Sequence, residues 1–251
     1  MLNHEIAAPT ELRYLTDASQ LALTSTITGV LVNGSAVKFS TAVSPFYCKG
    51  GGQRADIGFA TTASGRMRID DYRYEEGIAY HIGQLVQGDV QAGEAVLLEV
   101  DEQNRLLNSA YHTAGELIIA AMKLLRFDVE ILSAIHYGPQ QSRIEFDLDL
   151  ENELIDVLKD LLQRKLNHLI YQGGQVQLLM LAKREEVITQ VGYYPDYVTD
   201  KIIRVVKVLH GVTGRPCKGT HLQDLNQLKK LTIEKLKVKS HKLVISYTAG
   251  L

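Results

Sequence analysis

The feature that most constrains this chain is a change of hydrophobic period near residue 100. From Leu12 to about Val100 short apolar and β-branched runs alternate with turn residues. From Asp101 onward apolar positions 117, 118, 121, 124 and 125 recur at the spacing of one helix face. In the first part, Thr24 to Val32 reads as a strand, Asn33-Gly34 as a hairpin turn, and Ala36 to Phe39 as the returning strand. Segments 55–62, 66–74, 78–82 and 95–100 repeat the form, and short strands so spaced predict a small barrel. In the second part the spacing predicts a helix over 105–127, with His112 near its start, and strands over 129–136 and 143–150. An amphipathic helix follows over 151–167, with Leu154, Val157, Leu158, Leu161 and Leu162 on one face. Residues 175–181 and 201–209 read as strands, 184–200 as loop and short helix, and the region from Lys229 as a lysine-rich hairpin ending in Leu243 to Tyr247. The fold class is α+β: an N-terminal small β-barrel over residues 1–100, then an α/β domain over 101–251 with antiparallel sheet and helices.

A net charge of −2 provides no overall attraction to nucleic acid, so any RNA contact needs a local basic patch. Lys229, Lys230, Lys235, Lys237, Lys239 and Lys242 form the dense positive stretch, which suits a phosphate backbone or, equally, a solvated face. The two cysteines, Cys48 and Cys217, argue for a reducing compartment. Met1 to Leu15 has no apolar core of signal-peptide length, and no run reaches the roughly 20 apolar residues of a membrane span. The expectation is a cytoplasmic protein without a membrane partner.

His112 and Glu116 stand four apart on the predicted helix, where side chains share a face. Cys217 and His221 repeat that separation about a hundred residues later. Imidazole, carboxylate and thiolate are all zinc ligands, and together the two pairs offer a tetrahedral set. The His112 and Glu116 pair alone also has a plain reading, a solvated i,i+4 contact, and the Cys217 and His221 spacing alone is only suggestive. Between the barrel strands lies Gly50-Gly51-Gly52-Gln53, and three glycines in a row are costly unless the backbone turns sharply or approaches a ligand. A mobile surface loop is the plain alternative.

Three ordered stretches together resemble the alanyl-tRNA editing proteins, free-standing relatives of the editing domain of alanyl-tRNA synthetase. They are Phe46-Tyr47-Cys48-Lys49-Gly50-Gly51-Gly52-Gln53 with Asp56-Ile57-Gly58, His112-Thr113-Ala114-Gly115-Glu116, and Cys217-Lys218-Gly219-Thr220-His221. The resemblance implies a zinc-binding editing domain over 101–251, with His112, Glu116, Cys217 and His221 as metal ligands. It implies substrate-recognition roles for Thr113 and Gln53, and places the Gly50, Gly51 and Gly52 backbone against the aminoacyl-adenosine end of a mischarged tRNA. The implied activity is trans-editing hydrolysis of the aminoacyl ester, with seryl-tRNA made by alanyl-tRNA synthetase as substrate.

Two positions depart from the family pattern. Glu116 stands where the first motif usually has a second histidine, and Lys218 where the second motif usually has glycine. A carboxylate would make the shell more negative and a bound zinc less polarising. The departures motivate a second reading: a non-catalytic protein on the same scaffold that binds tRNA or a partner, with an altered or structural metal site. His136, before Gly138-Pro139, is either structural or turned toward the site.

Overall fold

Six antiparallel strands close into a barrel between Ala22 and Val100 in the computed structural model, which describes residues 9–127 and 129–251. Most of the N-terminal stretch expected to lack a leader, residues 1–8, lies outside the described residues. The strands are β1 (Ala22–Asn33), β2 (Ala36–Thr41), β3 (Gly58–Thr61), β4 (Gly65–Glu75), β5 (Ile78–Gly88) and β6 (Ala95–Val100). Their order around the barrel is β1-β2-β5-β4-β3-β6, closed by pairing of β6 with β1. Alternation sends Ile27, Val37, Phe39, Met67, Ile69, Val96 and Leu98 into the core. The first hairpin turns one residue later than the sequence predicts: Asn33 pairs with Ala36, and the loop is Gly34-Ser35 with Gly34 at φ +59°. Strand β5 runs well beyond the expected residue 82, because β4 pairs along its whole length up to Gly88.

Within this unit the Asp56-Ile57-Gly58 signature is structural. The buried Asp56 carboxylate accepts the Tyr47 N–H at 2.6 Å and pairs with the Arg105 guanidinium. Arg105 also donates to the carbonyls of Ala18 at 2.7 Å and Pro45 at 2.8 Å. A side chain at Gly58 would run into the Glu99 carbonyl, so glycine is what lets β3 lie against β6.

The chain divides into two units. The barrel unit comprises residues up to Gly50 with Arg54–Arg105; the other comprises Gly51–Gln53 and Leu106–Leu251. Helix α1 (Glu102–Leu124) starts three residues before the expected 105, because the Asp101 carboxylate accepts the Asn104 N–H at 2.8 Å. It stops short of Phe127 because Arg126 turns left-handed (φ +71°) and the Phe127 N–H returns to the Met122 carbonyl at 3.0 Å. His112 and Glu116 therefore sit in the middle of the helix, not near its start.

The second unit holds two antiparallel sheets. Strands β7 (Ile131–Ile135) and β8 (Arg143–Phe146) join a later hairpin, β12 (Lys230–Lys239) and β13 (Lys242–Gly250), in the order β12-β13-β8-β7. The other sheet has β9 (Gln177–Leu181), β10 (Ile203–Lys207) and β11 (Arg215–Pro216) in sequence order. The alternating stretch 143–150 is a strand only as far as Phe146. The Asp147 N–H turns to the Glu130 carbonyl and the Leu148 N–H to that of Phe146. Helix α2 (Asn152–Gln172) runs past the expected residue 167, ends at a Gly173 cap and buries Leu158, Leu162, Leu166 and Leu169. Leu154, Val157 and Leu161, expected on the buried face, lie on its exposed flank. Helix α3 (Arg184–Val191) is the short helix of the irregular region. A bulge between Ile233 and Lys235 leaves Lys235, Lys237 and Lys239 on the outer face of the hairpin.

Candidate metal centre

Helix α1 and the loop after β11 bring three metal-capable side chains together in the second unit. The donor atoms of His112, Cys217 and His221 all lie within 4.8 Å of one another. Cys217 Sγ is 3.5 Å from His112 Nε2 and 3.3 Å from His221 Nε2. Bonds of about 2.0–2.1 Å to imidazole and 2.3 Å to thiolate, at tetrahedral angles, separate N and S donors by about 3.5 Å. The donor set and its spacing therefore fit a zinc ion.

Each imidazole is fixed from behind. Gln53 is fully buried, and its carboxamide oxygen accepts the Thr220 N–H at 3.0 Å and lies 2.7 Å from His112 Nδ1. A carbonyl oxygen only accepts, so His112 carries its proton on Nδ1 and presents the Nε2 lone pair to Cys217. The Gln53 amide donates to Thr220 Oγ1 at 2.8 Å, and that hydroxyl is 2.7 Å from Ser109 Oγ. Thr113 Oγ1 accepts the Leu222 N–H at 3.0 Å and lies 3.3 Å from His221 Nδ1. The polar groups of Gln53 and Thr113, expected at the substrate, are thus engaged with the loop and the two histidines. Glycine is required beside His112, since a side chain at Gly219 would enter the imidazole ring.

Glu116 does not join the three donors. Its buried carboxylate faces Arg215, with Oε2 3.3 Å from Nε. The exposed Lys218 pairs with Asp200 at 2.7 Å. Gly51 and Gly52 belong to this unit. Gly52 has φ +74°, its carbonyl accepts the His136 N–H at 2.8 Å, and a side chain there would strike the Ala134 carbonyl.

Burial dominates the electrostatics. It holds the His112 and His221 imidazoles well below the ordinary histidine range, so both offer lone pairs at neutral pH. Burial first, and then the Glu116 charge, push the Cys217 thiol up to about 12. A divalent cation bound there would displace the thiol proton. Burial also raises the Glu116 carboxyl, against the opposing effect of Arg215.

Sequence reasoning missed Arg204 and Tyr247, and left His136 between a structural role and one at the site. Arg204 on β10 donates to the Cys217 carbonyl at 2.7 Å and the Gly219 carbonyl at 2.9 Å, tying down the loop. His136 is buried and stacked on His112 with ring centroids 4.5 Å apart. The Tyr247 hydroxyl donates to the Tyr111 carbonyl at 3.0 Å and so accepts from His136 Nδ1. Gly115 leaves the space that the His136 ring occupies, a signal present in the sequence but unreadable without the fold.

Comparison with known proteins shows what the chain is similar to. Residues 28–104 match the family described as tRNA synthetases class II (A). The chain is 29% identical over 235 residues to the alanine–tRNA ligase of Microcystis aeruginosa, covering 88% of this chain and 26% of that enzyme. It is 29% identical over 195 residues to the alanine–tRNA ligase of Anaeromyxobacter dehalogenans, covering 76% of this chain and 21% of the enzyme. The chain thus spans about a quarter of the length of these relatives. Among the described residues no helix is long and apolar enough to cross a membrane. From the barrel match and these alignments, the chain is similar to alanine–tRNA ligases over most of its own length.

Proposed function

We propose that this protein is a zinc-dependent hydrolase that deacylates mischarged aminoacyl-tRNA in trans, with the seryl ester made by alanyl-tRNA synthetase as the first substrate to test. The observation that carries the reading is the convergence of Cys217 Sγ with the Nε2 atoms of His112 and His221. In the reaction water adds to the ester carbonyl and the bond to the ribose oxygen breaks, releasing the amino acid and a tRNA with a free terminal hydroxyl. Zinc, when bound, supplies Lewis-acid polarisation at the reacting centre.

The chain's own residues do the rest. Gln53 and Thr113 act as positioning residues, holding His112 and His221 with their Nε2 atoms toward Cys217. Backbone groups of Gly50, Gly51 and Gly52 are the proposed contacts to the acyl-adenosine end, since a glycine run exposes its N–H groups without a side chain in the way. The lysines on the outer face of the β12–β13 hairpin are the proposed contacts to tRNA phosphates. Residues 101–251 are, on this proposal, the editing domain, and the cytoplasm its place of work.

A second reading is favoured by one observation, the engagement of Glu116 with Arg215 instead of with the donors. It leaves three protein ligands, which serve either a catalytic site with one position open to solvent or a weaker site in a non-catalytic tRNA- or partner-binding protein. Hydrolysis of seryl-tRNA and alanyl-tRNA by purified protein, with metal content measured on the same sample, separates the two. Selective loss of the seryl ester with about one zinc per chain supports the enzyme. Bound zinc without turnover of either ester selects the binding protein, and absence of zinc removes both metal readings.

A further inference from the structure

A cavity of about 580 Å³ lies in the second unit, one helical turn beyond His112. Glu116 and Arg215, both in its lining, are four residues after His112 and two before Cys217. Its walls include the buried or half-buried Ile119, Ala120, Val129, Ile131, Val206 and Val212, and the exposed Lys123, Glu130 and Thr213 also line it. Tyr193 and Tyr197 stand at its exposed side, their hydroxyls 3.5 Å apart. Its volume is in the range of small-molecule sites, about 300–1,000 Å³.

The polar end has unused bonding capacity. Glu116 is buried, and the contact found for its carboxylate is the Arg215 guanidinium. That contact is out of line, because the buried Arg215 Nε has no hydrogen-bond partner among the described residues. A carboxylate accepts at about four sites and a guanidinium donates at five, and buried groups of this kind are costly to leave unmet. A ligand that completes both must present a cationic donor beside an acceptor oxygen. An aminoacyl group does so, with its α-ammonium next to its carbonyl. Serine would put a hydroxymethyl group into a space far larger than itself, leaving the apolar walls uncovered.

We infer that this cavity is an aminoacyl chamber: Glu116 receives the α-ammonium, Arg215 the carbonyl oxygen, and the apolar walls a side chain larger and less polar than serine's. The inference rests on the proposed reading in taking the ligand to be an aminoacyl group, and it widens the acyl range of that site beyond serine. Glu116 then marks a change of substrate recognition at the position where the family usually has an imidazole.

The test uses aminoacyl-adenosine analogues in which an amide replaces the ester, so that binding is read without turnover. Calorimetry on the zinc-loaded full chain compares the leucyl with the seryl analogue, in the parent and in the cavity-filling variants Val212→Phe and Ala120→Phe. The leucyl analogue is expected to bind at least tenfold more tightly than the seryl in the parent. Either filled variant is expected to remove that advantage while seryl binding stays within twofold, which also shows that the variant has folded. A leucyl analogue bound no more tightly than the seryl one, or a leucyl advantage that survives in both folded variants, overturns the chamber. Hydrolysis of seryl- and leucyl-tRNA, run alongside, separates the two proposals. Leucyl preference without any turnover keeps the chamber and removes the hydrolase; seryl turnover without leucyl preference removes the chamber alone.

Discussion

Gln53 and His112 are 59 positions apart in sequence, yet the carboxamide oxygen of the first lies 2.7 Å from Nδ1 of the second. The glycine-glutamine signature thereby sets which nitrogen of the helix histidine carries the proton. Gln53→Ala is expected to weaken zinc binding by about 10–100-fold, the usual effect of removing a partner behind a ligand. It should also cost about 1–3 kcal/mol of stability through the unpaired Thr220 and His112 donors. Competition titration against a chromophoric chelator measures the first effect and denaturant unfolding the second. Zinc affinity equal to that of the parent would show that the contact does not orient the ligand.

Cys217→Ala and His221→Ala are each expected to lower zinc content, because each removes one of three converging donors. Glu116→Gln should leave zinc content unchanged, since that carboxylate faces Arg215. Glu116→His should likewise retain the metal, since the three converging donors are untouched. Metal analysis of the purified variants reads all four, and full zinc in both alanine variants removes the site.

In the barrel unit, Asp56→Ala is expected to cost about 3–5 kcal/mol, because it strands the buried Arg105 guanidinium without its counter-charge. Arg105→Met in the same background should recover part of the loss. Urea unfolding of the single and double variants checks this, and a single-variant loss below about 1 kcal/mol would place the pair in the range of exposed ion pairs.

His81 makes the barrel unit sensitive to acid. Its ring is fully buried, stacked on Phe39 at 4.6 Å and close to Tyr72 at 4.3 Å, and burial lowers its pKa to about 3. The folded value lies below the unfolded one of about 6.5, so the contribution is fully present above pH 6.5 and is lost as pH falls toward 3. The slope approaches about 1.4 kcal/mol per pH unit within that window. His81→Phe should flatten the stability profile between pH 6 and 4, whatever its effect at pH 7. An unchanged slope would assign the acid sensitivity to other groups.

Much of this architecture was legible because periodicity is a local property. The alternating runs before residue 100 and the helical spacing after it each report which side of an element meets the core, and the barrel and helix α1 follow from them. Element ends were read less well, because they depend on contacts made elsewhere. Helix α1 stops where Arg126 turns left-handed, and β8 stops where Asp147 bonds to Glu130. The site divides along the same line. His112, Cys217 and His221 are recognisable by residue type and spacing, whereas the neighbours that hold them are not. Tyr247, Arg204 and His136 carry no spacing signal: Arg204 meets the Cys217 carbonyl and His136 the His112 ring from separate strands or strand ends, and Tyr247 meets His136. Glu116 was legible as a departure, but its partner Arg215 lies 99 positions away and no periodicity connects them.

The assignment of Gly51–Gln53 to the second unit has a practical consequence for dissecting the protein. A gene fragment beginning at Leu106 would encode His112, Cys217 and His221 but omit Gln53. Such a fragment would carry every thiol and imidazole of the donor group while lacking the carboxamide that selects the tautomer of His112. The boundary of the module that holds these donors is therefore not a cut in the sequence: a truncation that keeps the group whole must carry these three residues in, as a graft or within the intact chain.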